Sequence, residues 1–340
     1  MGEGRTHVGV ALLIAIWVGH CGVASAAIQI NGAGATFSAP IYERWFQEYN
    51  RLHPEVQVNY QAIGSAAGIK QFTHGTVDFG ASDSAMTDEQ MARVEGGVLL
   101  LPMTAGEIVL PYNLPGIRLL RLSRAAYIGI FLGSITRWND LAIAASNPGV
   151  ALPSLPITVV YRYDGSGTTF VFTKHLCAIS PHFKQRVIAE GMQVTWPVGI
   201  GGKGNDGVTS LIKQMPGAIG YVEYGYAAEN RLTMALLQNR SGNYVQPSLG
   251  SSDQTLGRIE LPPNLRAWIE DPEGAQDYPI TTFTWLLVYR NYADPAKAAA
   301  LKSVLLYGLT EGQKFAPALG YIPLPGAVVE KVRAAVATIR

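Results

Sequence analysis

The sequence predicts an α/β fold with a mainly parallel sheet, shared between two domains. Two observations carry that expectation. Near the amino end, an apolar run, a loop of small residues and an amphipathic stretch follow one another three times, and such alternation builds parallel sheets flanked by helices. A chain of 340 residues with 48% hydrophobic composition also buries a large core, and its length favours two domains over one.

Residues 1–26 read as a secretory signal. Arg5 and the amino terminus give a weak positive start, residues 8–18 form an apolar run too short to span a bilayer, and Ala24-Ser25-Ala26 is a small-x-small cleavage site. The mature chain is expected to begin near Ala27 and to be exported and soluble. Cys21 follows His20, where a lipid-attachment site wants a small residue, so no lipid anchor is expected. Cys177 is then the one cysteine of the mature chain and reads as a buried packing thiol.

Residues 27–30 read as a strand that runs into Asn31-Gly-Ala-Gly-Ala-Thr36. Phe37, Ile41, Tyr42, Trp45, Phe46 and Tyr49 then recur at helical spacing, with Pro40 in the first turn, and His53-Pro54 ends the helix. Residues 56–60 form a second strand, followed by Gly64-Ser-Ala-Ala-Gly68 and a helix through Ile69 and Phe72. Residues 77–81 form a third, ending in Ser82-Asp83-Ser84, and Thr87 with Gln90 makes a capping box for the next helix. Residues 99–111 carry a strand towards a second unit, 127–132 read as helix, and Trp138-Asn-Asp140 precedes another short helix. Residues 218–224 and 280–289 read as strands, and Ser241-Gly-Asn243 as a hairpin turn. Residues 295–309 are helical, with Asp294 as N-cap and Pro295 at the first position, and 328–339 form a last helix.

In open parallel sheets ligands bind beyond the carboxyl ends of the strands, where Thr36, Ser65 and Asp83 all fall. A second cluster lies in residues 157–172, where a β-branched run ends in Arg162, a turn of Asp164, Gly165, Ser166, Gly167 and Thr168 follows, and an apolar helix begins. A helix start offers unpaired N–H groups and a positive dipole end to an anion. Ser166 and Thr168 add hydroxyls, Arg162 a fork of donors suited to an oxyanion. Asp164, two residues beyond Arg162, shares its face and can pair with it. The stretch reads either as an oxyanion pocket or as an ordinary strand–turn–helix with an N-cap and a surface ion pair. Asp83 discriminates among anions. A carboxylate aimed into such a pocket repels a fully ionised ligand and favours one with a proton to donate. Phosphate near neutral pH keeps a proton and sulfate does not. Otherwise Asp83 caps the helix after it or pairs with a lysine.

Other functions find little support. With 26 basic and 25 acidic residues the net charge is +1 and no basic block stands out, so nucleic acid is not an expected partner. Gly199-Ile-Gly201-Gly-Lys-Gly204 matches a dinucleotide pattern only loosely and follows Trp196-Pro197 rather than a clear strand. His53, His74, His175 and His182 are dispersed and predict no metal site. No G-x-S-x-G surrounds Ser166.

Six motifs in order resemble the periplasmic phosphate-binding proteins of high-affinity phosphate ABC transporters. They are Gly32-Ala-Gly-Ala-Thr-Phe37, Ile63-Gly-Ser-Ala-Ala-Gly68, Val77-Asp-Phe-Gly-Ala-Ser-Asp83, Arg162-Tyr-Asp-Gly-Ser-Gly-Thr168, GIGGKGNDG at 199–207 and Pro216-Gly-Ala-Ile-Gly-Tyr-Val-Glu-Tyr224. The resemblance spans nearly the whole mature chain. It implies a two-lobed type II binding-protein fold of mixed sheets flanked by helices, closing on one dehydrated phosphate in the interlobe cleft. It implies contacts from Thr36, the backbone of Phe37, Ser65, Arg162, Ser166, Gly167 and Thr168, with Asp83 as proton acceptor and Asp164 moderating Arg162. The GIGGKGNDG loop receives no direct ligand role. Lobe I is expected at 27–108 plus 280–340 and lobe II at 109–279, hinged near Gly106 and Tyr278. Expected partners are phosphate and the transmembrane permease subunits, for a monomer with no cofactor, no metal and no catalysis. The rival readings are a secreted phosphatase using Ser166 and a binder of another tetrahedral oxyanion such as sulfate. Tyr163 and Ala66-Ala67 depart from the family pattern and bear on closure or the pocket rim.

Overall fold

A computed structural model of the protein describes residues 1–2, 27–187 and 190–340. The expected signal, its cleavage site near Ala26 and Cys21 lie outside the described residues.

Three strand–helix units open the chain: β1 (Ile28–Gly34) with α1 (Ala39–Leu52), β2 (Val56–Ala62) with α2 (Ser65–Thr73), and β3 (Phe79–Ser82) with α3 (Asp88–Ala92). β1 pairs in parallel with both β2 and β3, as the alternation predicts. It runs beyond Ile30 to Gly34 because its small residues let the neighbouring strand approach. A Cβ on Gly32 would lie 2.0 Å from the Phe79 ring. α1 buries Ile41, Tyr42, Trp45, Phe46 and Tyr49, its predicted apolar face, and the Thr87–Gln90 capping box opens α3.

β4 (Val98–Val109) is buried along its whole length. The chain then leaves for β5 (Pro111–Tyr112), β6 (Arg121–Leu122), α4 (Arg124–Leu132), α5 (Leu141–Ala144), β7 (Thr158–Arg162), α6 (Gly167–Ile179), α7 (Pro181–Val187), β8 (Ile200–Gly202), α8 (Gly204–Gln214) and β9 (Ala218–Gly220). After these come β10 (Val222–Glu223), α9 (Tyr224–Glu229), β11 (Thr233–Met234), β12 (Leu236–Gln238), β13 (Tyr244–Val245) and α10 (Leu249–Gly257). β14 (Thr281–Tyr289), α11 (Pro295–Leu309) and α12 (Gly326–Ala337) complete it. The strands form a six-stranded sheet ordered β10-β4-β14-β3-β1-β2, a five-stranded sheet ordered β11-β5-β9-β7-β8, and a small sheet β13-β12-β6. Cys177 is a free, buried thiol on α6.

Residues 218–224 are not one strand. β9 belongs to the five-stranded sheet and β10 to the six-stranded one, with buried Tyr221 as the link. Leu110 does the same between β4 and β5. The two links run side by side, since Val222 pairs with Val109 and Ile219 with Tyr112, both antiparallel. Gly106 sits inside β4, paired with Thr282; the chain passes between the two larger sheets at Leu110 and Tyr221, again between β10 and β11, and returns to the first sheet at β14, just after Tyr278. The first sheet thereby takes Val222 and Glu223 from within the span 109–279.

Trp45 ties α1 to the chain after α11, its Nε1–H donating to the Gly312 carbonyl at 2.7 Å. Trp45→Phe leaves that buried carbonyl unpaired and thins the packing. It should cost about 2–3 kcal/mol of unfolding free energy, read from urea denaturation. A loss under about 0.5 kcal/mol would contradict this account of the contact.

Candidate functional site

The first half of the site is built where β7 turns into α6. Arg162, at the end of β7, is 2% exposed. Its Nε donates to Asp164 Oδ1 at 2.6 Å and its Nη2 to Asp164 Oδ2 at 2.5 Å. Its Nη1 is buried and has no protein partner among the described residues. Burial alone would raise the Asp164 carboxyl, but its hydrogen bonds and the Arg162 charge prevail and hold it below the usual carboxylate range. Ser166 caps α6, its Oγ accepting the Thr169 N–H at 3.1 Å, while its carbonyl accepts the Phe170 N–H. The amides of Gly167 and Thr168 come too early in the helix for an intrahelical partner and stay directed outward from its positive end.

The second half lies at the ends of the first three strands. Thr36 and Phe37 bridge β1 and α1, Ser65 opens α2, and Asp83 follows β3; all four are buried. Ser65 Oγ accepts the Asp83 N–H at 3.4 Å. Asp83 Oδ1 accepts the Thr284 hydroxyl at 2.9 Å and Oδ2 the Thr168 hydroxyl at 3.5 Å. Asp83 therefore neither caps α3, whose cap is Thr87, nor pairs with a lysine among the described residues. Burial pushes its carboxyl up to about 7, against the opposing pull of Thr284, the Arg162 charge, Thr168 and Ser65.

The two halves touch. Ala66 N–H donates to the Gly165 carbonyl at 3.0 Å. A Cβ on Gly167 would stand 2.6 Å from Ser65 Oγ, and one on Gly165 2.4 Å from the Ala66 Cβ. Every expected contact residue thus lies in one buried cluster around Asp83 and Arg162. Several partners were not legible beforehand. Thr284, on β14, is one of four residues in Thr281-Thr-Phe-Thr284, a threonine-rich start to a buried strand and the only hint of a role. Gly204 and Asn205, at the start of α8, reach both halves: Gly204 N–H donates to Asp164 Oδ1 at 3.0 Å, and Asn205 Nδ2 to Thr36 Oγ1 at 2.9 Å. Tyr226 Oη donates to the Thr36 carbonyl at 2.6 Å. His53 faces Glu55, His74 the Lys70 carbonyl and His175 the Tyr127 hydroxyl. Among the described residues no group of three or more His, Cys, Asp or Glu side chains is placed to hold a metal.

Residues 22–309 match the PBP superfamily domain. A phosphate-binding protein PstS of Xylella fastidiosa is 38% identical over 311 residues, covering 90% of this chain and 84% of that protein. A phosphate-binding protein PstS of Pasteurella multocida is 39% identical over 328 residues, covering 95% and 94%. The chain belongs to the PstS family. The high affinity periplasmic phosphate-binding protein PfluDING, solved with phosphate bound, shares the fold at a TM-score of 0.73 and 21% identity, over 90% of this chain and 93% of that one. The periplasmic-binding-protein fold of mixed sheets and helices follows.

Two departures from the PstS pattern have different consequences. Tyr163 is 53% exposed and sits on the outer side of the β7 turn, over Gly201. Ala66 is part of the contact between the two halves. Gly165→Ala adds a methyl group that would stand 2.4 Å from the Ala66 Cβ across this contact. It should weaken ligand affinity at least about tenfold, which is about 1.4 kcal/mol. The melting temperature of the ligand-free protein should stay within a few degrees of the parent. Unchanged affinity would show that the halves need not approach this closely.

Proposed function

We propose that the chain captures inorganic phosphate in the periplasm and delivers it to the permease of an ABC-type importer. The observation that supports this reading most is a buried carboxylate, Asp83, held by the Thr168 hydroxyl and set among donors: Arg162 Nη1 without a protein partner among the described residues, the α6 amides, and the hydroxyls of Thr36 and Ser65. The donors suit an oxyanion. The acceptor suits one that still holds a proton, because an unprotonated anion gives Asp83 no hydrogen and faces its charge. The contacts proposed are Thr36, the Phe37 backbone, Ser65, Asp83, Arg162, Ser166, Gly167 and Thr168, with Asp164 drawing part of the Arg162 charge. Family membership supports the ligand, since the relatives are named for phosphate.

Residues 27–108 with 280–340 would form one lobe and 109–279 the other, with Val222 and Glu223 joined to the sheet of the first. Closure over the ligand would present a new surface to the permease. The export signal read at 1–26 and the periplasmic relative support the compartment. No chemical step is needed. Ser166, the nucleophile of the phosphatase reading, caps α6 through its oxygen.

Calorimetric titration of refolded, ligand-stripped protein with phosphate and with sulfate tests the reading. Phosphate should bind tightly and sulfate weakly near neutral pH. Comparable sulfate affinity would sink it. Burial disfavours the charged form and pushes the carboxyl up to about 7, so acidification protonates it and turns the acceptor into a donor. Sulfate affinity should therefore rise between about pH 8 and about pH 5. Asp83→Asn should abolish that slope and bind sulfate better than the parent at the upper end. A flat sulfate profile in the parent would contradict the proposed role of Asp83.

A further inference from the structure

The GIGGKGNDG loop is one of two motifs of the sequence, with residues 216–224, that the phosphate contacts leave without a role. Asn205 stands in it, fully buried at the start of α8. Its Oδ1 accepts the Glu223 N–H at 3.1 Å. A main-chain N–H can only donate, so this bond fixes which end of the amide is oxygen. Nδ2 then faces Thr36 Oγ1 at 2.9 Å and must donate to it, and the Asn205 backbone N–H donates to the same oxygen at 3.3 Å. A hydroxyl has two acceptor sites and one hydrogen. With both acceptor sites filled, Thr36 keeps only its hydrogen, which has no protein acceptor among the described residues.

We propose that Asn205 is a positioning residue that sets the polarity of Thr36, committing its hydroxyl to donate into the phosphate site. This inference rests on the phosphate reading above. Asn205 also links three parts that must be in register for closure. Thr36 follows β1, Glu223 lies on the strand just past the Tyr221 crossing, and Gly204, its neighbour, holds Asp164. The Thr36–Asn205 bonds join the sheet of the first strands to a helix packed on the five-stranded sheet. Forming them reports closure, and losing them speeds release.

A double-mutant cycle on phosphate affinity tests this, with Asn205→Ala, Thr36→Val and the pair titrated calorimetrically with inorganic phosphate. Each single change should weaken binding about tenfold or more, mostly through a faster off-rate in stopped-flow release. The pair should lose little more than the worse single variant, because Asn205 acts through the Thr36 hydroxyl. Additive losses would overturn the proposal and leave Asn205 a structural residue. A Thr36→Val protein that binds phosphate like the parent would instead refute the Thr36 contact in the phosphate reading itself. Asn205→Asp is the second variant. It keeps the acceptor for Glu223 and so should fold, but its carboxylate takes the Thr36 hydrogen, and it should bind more weakly than Asn205→Ala. Equal or better affinity than Asn205→Ala would likewise overturn the assignment.

Discussion

The buried Asp83 carboxylate is the constraint on which the rest of the site depends. Removing a carboxylate from water is costly unless hydrogen bonds or a counter-charge replace the hydration. Here Thr284, Thr168 and Ser65 supply bonds, and Arg162 supplies charge, yet the carboxyl still rises to about 7. The protein repays only part of the cost. A partner that brings a hydrogen to Asp83 completes it, and a partner that brings only negative charge makes it worse.

The surroundings are arranged to make that difference large. Arg162 would be a strong general attractor of anions, but Asp164 binds its fork through two atoms and lies against Gly204 as well. The pair is close to neutral, so Arg162 offers the ligand little net positive charge. Attraction then comes from oriented dipoles: the first turn of α6, the start of α2 at Ser65, and the residues before α1. Each such dipole contributes only about 0.3–1 kcal/mol of charge stabilisation when exposed and up to about 2 kcal/mol when buried. Fixed donors of this kind match shape and proton count more than they match charge. The neutralised Arg162 and the acceptor Asp83 serve the same end.

Much of this was legible in the sequence. The three strand–loop–helix units announce parallel strands, and Thr36, Ser65 and Asp83 fall at strand ends where such sheets bind ligands. Arg162 and Asp164 can be paired by their spacing alone. What lay hidden is long-range. Thr284 reaches Asp83 across 201 positions, and Asn205 reaches Thr36 across 169; no local pattern marks either pairing. The one-residue links at Leu110 and Tyr221 were hidden for a related reason. Both sit inside apolar stretches whose composition is the same on either side of the crossing, and only the partner strands, Val109 against Val222 and Tyr112 against Ile219, tell the sheets apart. The stretch 199–207 matched a dinucleotide pattern only loosely and received no ligand role, whereas two of its residues clasp both halves of the site.

The central claim is that a hydrogen is shared between Asp83 and the bound oxyanion, and neutron diffraction of a deuterated phosphate complex tests it directly. The account predicts deuterium density between Asp83 Oδ2 and one ligand oxygen, with Thr284 still on Oδ1 and the Thr36 deuteron pointing at the ligand. A phosphate whose oxygens all face donors, with no deuteron between it and Asp83, would contradict it.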